Sequence, residues 1–357
     1  MKYTNRIKSI IGIICIIVIA VVLLIWTFGK DREENRWFAV FVPGEIANSP
    51  IYSMLVNGVT QAVLDFNQNN NTNYKLEVVE AGTNQAEWGA KLMGLAAMKK
   101  FDVIFSSNPS IPDLALPITQ MYPEQKFIIL DAFYQGNPNI ATVRFNQREQ
   151  AYLAGYAAGL ATTSKDSQMK YSNPQKKIAL IAAQEYPVMN KIILPGFIEG
   201  AKAVDNDIEV IFKIVGNWYD ANKGAELSRA LYNEGVDVIL PICGGASQGV
   251  ISTAKELGFY ISWFDDNGFS KAPGYVISSS AMEQEKLAYE VATKYFEGEI
   301  EFGSATTVDI EDGYITLVTD DKNFENNFSE DYKEKLLNEY SKIKEKILIL
   351  DSPESYF

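Results

Sequence analysis

Phe101-Asp102-Val103-Ile104 and, 135 residues further on, Val236-Asp237-Val238-Ile239 repeat one pattern, an aspartate leading into a short apolar strand. The likeness extends to both sides. The next strand ends, Phe127 to Asp131 and Ser262 to Asp266, correspond to each other. So do Leu76-Glu77-Val78 and Ile208-Glu209-Val210, and Trp37–Val42 and Ile178–Ala182. Strands are expected at Trp37–Val42, Leu76–Val79, Val103–Ser106, Phe127–Leu130, Ile178–Ala182, Glu209–Val215, Val238–Ile242 and Tyr260–Phe264. Amphipathic spacing predicts helices over Tyr52–Asn67, Ala86–Lys99, Gln147–Thr163, Gly196–Val204, Ala221–Asn233 and Ser247–Leu257. Alternation of this kind is the signature of βαβ units and a mainly parallel sheet. Each half therefore reads as one open α/β sheet, and ligands bind beyond the carboxyl ends of the strands in such sheets. Two facing halves make a cleft that can close by a hinge.

A chain of 357 residues is long enough for two such lobes. With 47% hydrophobic and 22% charged residues it has the balance of a globular protein, which argues against long disorder. The 32 basic and 45 acidic side chains leave a formal charge of −13, a surface that repels nucleic acid and anionic lipid. No histidine occurs anywhere. Ser-His-Asp and Cys-His catalysis and His-based zinc sites are thereby excluded. Cys15 sits in the apolar N-terminus and Cys243 in the body, so no disulfide joins them.

Lys2, Arg6 and Lys8 precede an uncharged run from Ser9 to Phe28, long enough to cross a bilayer as a helix. Positive charge ahead of it predicts a cytoplasmic N-terminus and an extracytoplasmic body held at the cell membrane. Trp26 suits the interface, and Lys30 to Arg36 forms a charged tether. Two other readings stay open: lipidation at Cys15, although Ile13-Ile14 are not the small residues expected before a lipidated cysteine, and cleavage as a signal peptide.

The strand-end loops hold the candidate binding residues. The first is Pro43-Gly44-Glu45-Ile46-Ala47-Asn48-Ser49-Pro50, and the third strand ends in Ser106-Ser107-Asn108-Pro109. Asp131 and Asp265 or Asp266 stand at equivalent strand ends, one in each half, where a carboxylate can accept two hydroxyl hydrogen bonds; capping of a turn is the plainer role. Gly244-Gly245 opens a helix, so its backbone can approach a ligand and offer free N–H donors; a tight turn with Ser247 as N-cap is the alternative. It is neither a P-loop nor a dinucleotide fingerprint. Trp218 and Tyr219 follow a strand and can stack on a ring, as can Tyr52; packing at the lobe edge is the competing role. Cys243, with no histidine partner, reads as a small core residue.

Three segments resemble the basic membrane protein family of substrate-binding proteins, which includes bacterial purine nucleoside receptors of ABC importers. Phe145-Asn146-Gln147-Arg148-Glu149-Gln150-Ala151-Tyr152-Leu153-Ala154-Gly155-Tyr156-Ala157-Ala158-Gly159 is similar to the family's F-R-E-x-Q-x-x-F-L-A-G-Y-x-A-G. Gly235–Ile239 followed by Gly244–Ile251, and Val215–Asp220 against V-G-S-[FW]-x-D, are the others. The resemblance implies an α/β, two-lobed periplasmic-binding-protein type fold after the N-terminal transmembrane helix, with three crossings between lobes. It divides the chain into residues 1–36 (anchor and tether), 37–143 with 268–302 (lobe 1), and 144–267 with 303–350 (lobe 2). Asn48–Ser53 departs from the family's D-x-S-F-N-Q, and the family's lysine falls at Met282.

The expected function is an extracytoplasmic substrate-binding protein of an ABC-type importer. Its partners would be a small, purine nucleoside-like ligand in the cleft and a permease in the membrane, with no cofactor, metal or catalysis. Ligand contacts are expected from Asn48, Tyr52, Asn108, Asp131, Trp218, Gly244, Gly245, Asp265 and Asp266. A membrane-anchored ligand sensor or regulator on the same fold is the alternative, and two-carboxylate catalysis a more distant one. The acidic C-terminal stretch, helical over Glu330–Lys346, is expected to pack against a lobe.

Overall fold

The computed structural model describes residues 36–353; the apolar N-terminal run, its tether up to residue 35 and Cys15 lie outside the described residues. No helix among the described residues is long and apolar enough to cross a membrane. Two six-stranded sheets form the body. The first holds β1 (Trp37–Val42), β2 (Lys75–Glu80), β3 (Val103–Ser107), β4 (Lys126–Leu130), β5 (Ile140–Phe145) and β11 (Ala305–Val308). The second holds β6 (Lys177–Ala182), β7 (Glu209–Ile214), β8 (Val236–Ile242), β9 (Tyr260–Asp265), β10 (Val276–Met282) and β12 (Ile315–Leu317). Their orders, β11-β5-β4-β3-β1-β2 and β12-β10-β9-β8-β6-β7, match strand for strand. Pairing is parallel except between β10 and β12. The duplication thus runs further than the eight expected strands.

Helices cover both faces: α1 (Pro50–Asn70), α2 (Trp88–Ala97), α3 (Ile111–Met121), α4 (Gln147–Thr163), α5 (Leu194–Val204), α6 (Ala221–Asn233), α7 (Ser247–Leu257), α8 (Gln284–Phe296), α9 (Lys322–Asn327) and α10 (Glu330–Lys344). Coverage on both sides explains why β3 and β8 are buried along their whole length. The outer strands β2 (KLEVVE) and β7 (EVIFKI) carry charges instead, which blunts an exposed sheet edge.

The lobe boundaries are corrected by the sheets. Residues 268–302 were expected in the first lobe, yet β10 pairs with β9 in the second, and β11 pairs with β5 in the first. The chain crosses after β5, after β10 and after β11, later each time than the expected boundaries. The cause is β10 itself. Its sequence, VISSSAM, looks like a loop, but Ser278, Ser279 and Ser280 are all buried. Their hydroxyls are satisfied: Ser278 Oγ pairs with Ser262 Oγ at 2.7 Å, and Ser279 Oγ donates to the Asp266 carbonyl at 2.7 Å. Helix α3 hid in the same way behind Pro112 and Pro117.

The C-terminal segment reinforces the first crossing. Arg144 donates to the carbonyls of Pro353 (2.6 Å) and Ser352 (3.1 Å), and Asn146 to that of Leu350 (2.9 Å). Beside them the buried Glu149 accepts the Ile310 N–H at 3.0 Å, with Lys346 3.6 Å away.

Helix α4 follows that crossing and is almost wholly buried against α5. Small residues let the two backbones touch. A Cβ on Gly155 would stand 2.0 Å from the Phe197 carbonyl oxygen, and one on Gly200 1.9 Å from that of Tyr152. We expect Gly200→Ala to destabilise the fold by at least about 1–3 kcal/mol through overpacking. Gly94→Ala is the contrast, because nothing lies within 4 Å of the added methyl at this exposed position of α2. It should raise stability by about 0.5–1 kcal/mol. Urea unfolding of both variants checks the pair.

Candidate functional site

Parallel pairing sends the carboxyl ends of β1–β4 to one edge of the first sheet and those of β6–β9 to one edge of the second. The two edges face each other. Gln85 Nε2 reaches Gln184 Oε1 at 3.5 Å across the mouth, and Gln284 Nε2 donates to Ser107 Oγ at 2.7 Å beside the crossing.

At the centre stand Asp131, just past β4, and Asp265, the last residue of β9. Both adopt left-handed backbone, φ 52° and 76°, which aspartate tolerates better than most side chains. Matching strand ends so receive matching geometry. Burial pushes the Asp131 carboxyl well above its ordinary range, and the charge of Asp265 pushes it further. Burial, then the neighbouring Asp266, raises Asp265 to about 7, while the adjacent Gln150 side chain offsets part of the rise. Asp265 Oδ1 is buried without a hydrogen-bond partner among the described residues.

The structure separates two aspartates that the sequence leaves equivalent. Asp266 turns away: its Oδ1 accepts the Trp263 Nε1–H at 2.5 Å and its Oδ2 pairs with Lys271 at 2.9 Å. Asp265 is the one opposite Asp131.

Aromatic rings surround the carboxyl pair. Tyr52, in the first turn of α1, lies against Gly44, and its hydroxyl accepts from Asn108 Nδ2 at 3.3 Å. Burial raises its pKa, with Asp131 and Tyr219 adding to the shift. Asn108 Oδ1 accepts from the Ser110 N–H and hydroxyl at 2.9 and 2.6 Å, which fixes the side chain that holds Tyr52. Trp218 is half-buried after β7, 6.3 Å between centroids from Tyr186. Tyr186, raised by burial and then by Asp131 and Asp265, belongs to this group although no expectation included it. It lies in the loop that follows β6, so position after a strand was the available signal. Gln150 and Gln284 were also missed.

Gly244 and Gly245 are a short turn before α7. A Cβ on Gly244 (φ 56°) would sit 3.0 Å from the Trp218 carbonyl oxygen and 3.3 Å from its Cε3. The glycines therefore admit the Trp218 loop over the start of α7. Ser247 does not cap that helix; its hydroxyl lies 3.3 Å from the Cys243 sulfur. Burial pushes that thiol up to about 11, consistent with a core residue. Asn48 stands in the turn Ile46–Asn48 ahead of α1, and its side chain lies outside the described residues. A separate concavity of about 1100 Å³, lined by Arg36, Phe66, Tyr74 and Tyr122, opens at the amino ends of the strands and contains none of these groups.

Facing lobes with polar strand ends define the two-lobed α/β binding-protein class. The model of the Bmp family, described as ABC transporter substrate-binding protein PnrA-like, matches residues 36–352, and the chain belongs to that family. It is 26% identical over 242 residues to the ABC transporter nucleoside-binding protein BmpA of Lactococcus lactis subsp. cremoris, covering 63% of this chain and 66% of that one. It is 30% identical over 201 residues to basic membrane protein D of Borreliella burgdorferi, with 56% and 55% covered. The match thus spans just under two thirds of the first relative and about half of the second. Basic membrane protein A of the same species is 25% identical over 340 residues, with 92% and 91% covered. An ABC transporter solute-binding protein from Aeropyrum pernix K1 superposes with a TM-score of 0.74 at 16% identity, covering 90% of this chain and 94% of that one. That likeness shows the fold.

The raised Asp265 makes ligand-free stability depend on pH. Its folded pKa of about 7 exceeds the ordinary 3.8. Stability tied to its protonation is therefore present below the lower value and lost as pH rises through the higher one. Glu149 (about 7) and Asp237 (about 6) act in the same direction and are common to parent and variant, while Asp131 is raised partly by Asp265, so the comparison reports the coupled Asp131–Asp265 pair. Asp265→Asn should lose less stability than the parent between about pH 4 and 7. Asp266→Asn should lose about 1–3 kcal/mol at neutral pH, because it weakens the Lys271 pairing and the Trp263 hydrogen bond. Urea titrations at stepped pH check both.

Proposed function

We propose that this chain is the extracytoplasmic, membrane-tethered binding component of an ABC-type importer, closing its two lobes on a purine nucleoside-like or related ring compound for delivery to a permease. One observation carries the reading: Asp131 and Asp265, from equivalent strand ends of opposite lobes, meet across a single cleft walled by Tyr52, Tyr186 and Trp218. Carboxylates accept paired hydrogen bonds from a ligand, and flat rings supply stacking faces. Hinged closure around a small molecule is a known use of this architecture. Membership of a substrate-binding family supports the transport role. The printed name of the Lactococcus relative supports the nucleoside-like class, and the charged and apolar N-terminal pattern supports the tether.

The chain acts by binding, without catalysis. Histidine is absent from the sequence, and the residues around the carboxyl pair are rings and amides rather than an activated nucleophile. The permease would recognise the closed form, in which the strand-end loops of both lobes are brought together.

The test is thermal unfolding of the full chain in detergent against purine nucleosides, nucleobases, related nitrogen heterocycles, sugars and amino acids. A ring compound is expected to raise the midpoint, by about 2.7 kcal/mol of stability at one hundred times its dissociation constant. Trp218→Ala should remove the shift. Shifts only with sugars or amino acids would end the ring-compound reading, and no shift with any class would count against ligand binding.

A further inference from the structure

Among the described residues, three of the buried side-chain atoms without partners, near the strand ends and the crossings, are hydrogen-bond acceptors. Asp265 Oδ1, Gln150 Oε1 and Gln284 Oε1 are buried side-chain atoms without partners among the described residues. Gln150 and Gln284 are both 0% exposed, so bulk solvent does not reach these amides. The orientation of Gln150 is fixed, since its Nε2 donates to the Ser280 carbonyl at 2.8 Å and a carbonyl can only accept. Gln284 Nε2 is engaged by Ser107. Each of these two amides has its donor end occupied and its acceptor end open.

Charge points the same way. The ionisable group acting on Asp131 is Asp265, that acting on Asp265 is Asp266, and those acting on Tyr186 are Asp131, Asp265 and Tyr52. Lys271 is engaged by Asp266 at 2.9 Å. Met282, at the end of β10, is buried and apolar. A half-buried carboxyl pair of this kind favours a proton or a cation, because partial removal from water without a partner is unfavourable to the charged form. Rings of tyrosine and tryptophan beside it also favour a cation over their faces.

We infer that the cleft selects a ring compound carrying a positive charge and N–H donors, a protonated or N-alkylated nitrogen heterocycle, over its neutral counterpart. This rests on the substrate-binding reading above and narrows its ligand class. The cation would lie between Asp131 and Asp265, with its donors turned to Gln150 Oε1 and Gln284 Oε1 and its ring against Trp218 or Tyr186.

Isothermal titration of the full chain in detergent at pH 7 tests it with two matched pairs. 1-Methyladenosine, a cation at this pH, is compared with adenosine, and the ring-methylated cation 1-methylnicotinamide with nicotinamide. In at least one pair the cation is expected to bind tenfold or more tightly than its neutral partner, and Asp265→Asn should collapse that ratio by weakening the cation more than the neutral partner. Equal or tighter binding of the neutral partner in every pair that binds overturns the inference and leaves the substrate-binding reading standing. A ratio unchanged in Asp265→Asn also overturns it. If neither pair binds, the inference falls; if the wider thermal panel is silent as well, the reading beneath it falls too.

Discussion

The carboxyl pair of Asp131 and Asp265 constrains everything around it. Two unit charges about 4 Å apart repel by roughly 4 kcal/mol at an effective dielectric constant near 20, and less in proportion at greater separation. Partial burial adds to that cost and favours a proton on one member or a positive partner between them. In the proposed hinge motion, opening the cleft would return both groups to water and relieve the repulsion. A ligand that satisfies them would then favour closure. Electrostatics at one point thus links the position of two whole lobes to occupancy, as population shift requires of any ligand that favours one state.

The architecture puts the pair there by simple means. Parallel strands need crossover helices, and those helices leave all the strand ends of one lobe on a single edge. Duplicating the sheet order gives a second edge with the same geometry, and left-handed backbone at both aspartates repeats the detail. Three crossings then join the lobes. The first is bound by Arg144, Asn146 and the C-terminal carbonyls, and it continues into α4, whose glycine-mediated contact with α5 is among the tightest in the molecule. Rigid lobes on a limited set of connections are the mechanical requirement for hinge motion.

Much of this was legible in the sequence wherever apolar runs were unbroken. All eight expected strands form, and α4, α6 and α7 occupy their expected spans. Strand β10 was not legible, because three serines sit where valines normally would and are satisfied only by partners distant in the chain. Helix α3 was masked by its prolines, and β11 and β12 by their brevity. Losing β10 displaced the lobe boundaries. In the candidate site, position after a strand pointed to Asp131, Trp218 and the Asp265-Asp266 pair as candidates, whereas the difference between those two aspartates depends on Trp263 and Lys271, which only the folded turn brings to Asp266. Tyr186 could have been found by applying the same strand-end rule to the loop after β6. Gln150 and Gln284 could not, since their open acceptor ends follow from contacts with Ser280 and Ser107.

Closure of the lobes on a ligand held at the carboxyl pair can be measured directly by pulsed electron resonance between spin labels at positions 85 and 184, which lie on opposite lips of the cleft. Addition of a ring compound that stabilises the protein should collapse a broad, long distance distribution to a narrow, short one. The double variant Asp131→Asn with Asp265→Asn should lose that response. A distribution that stays the same with ligand bound would contradict the proposed closure.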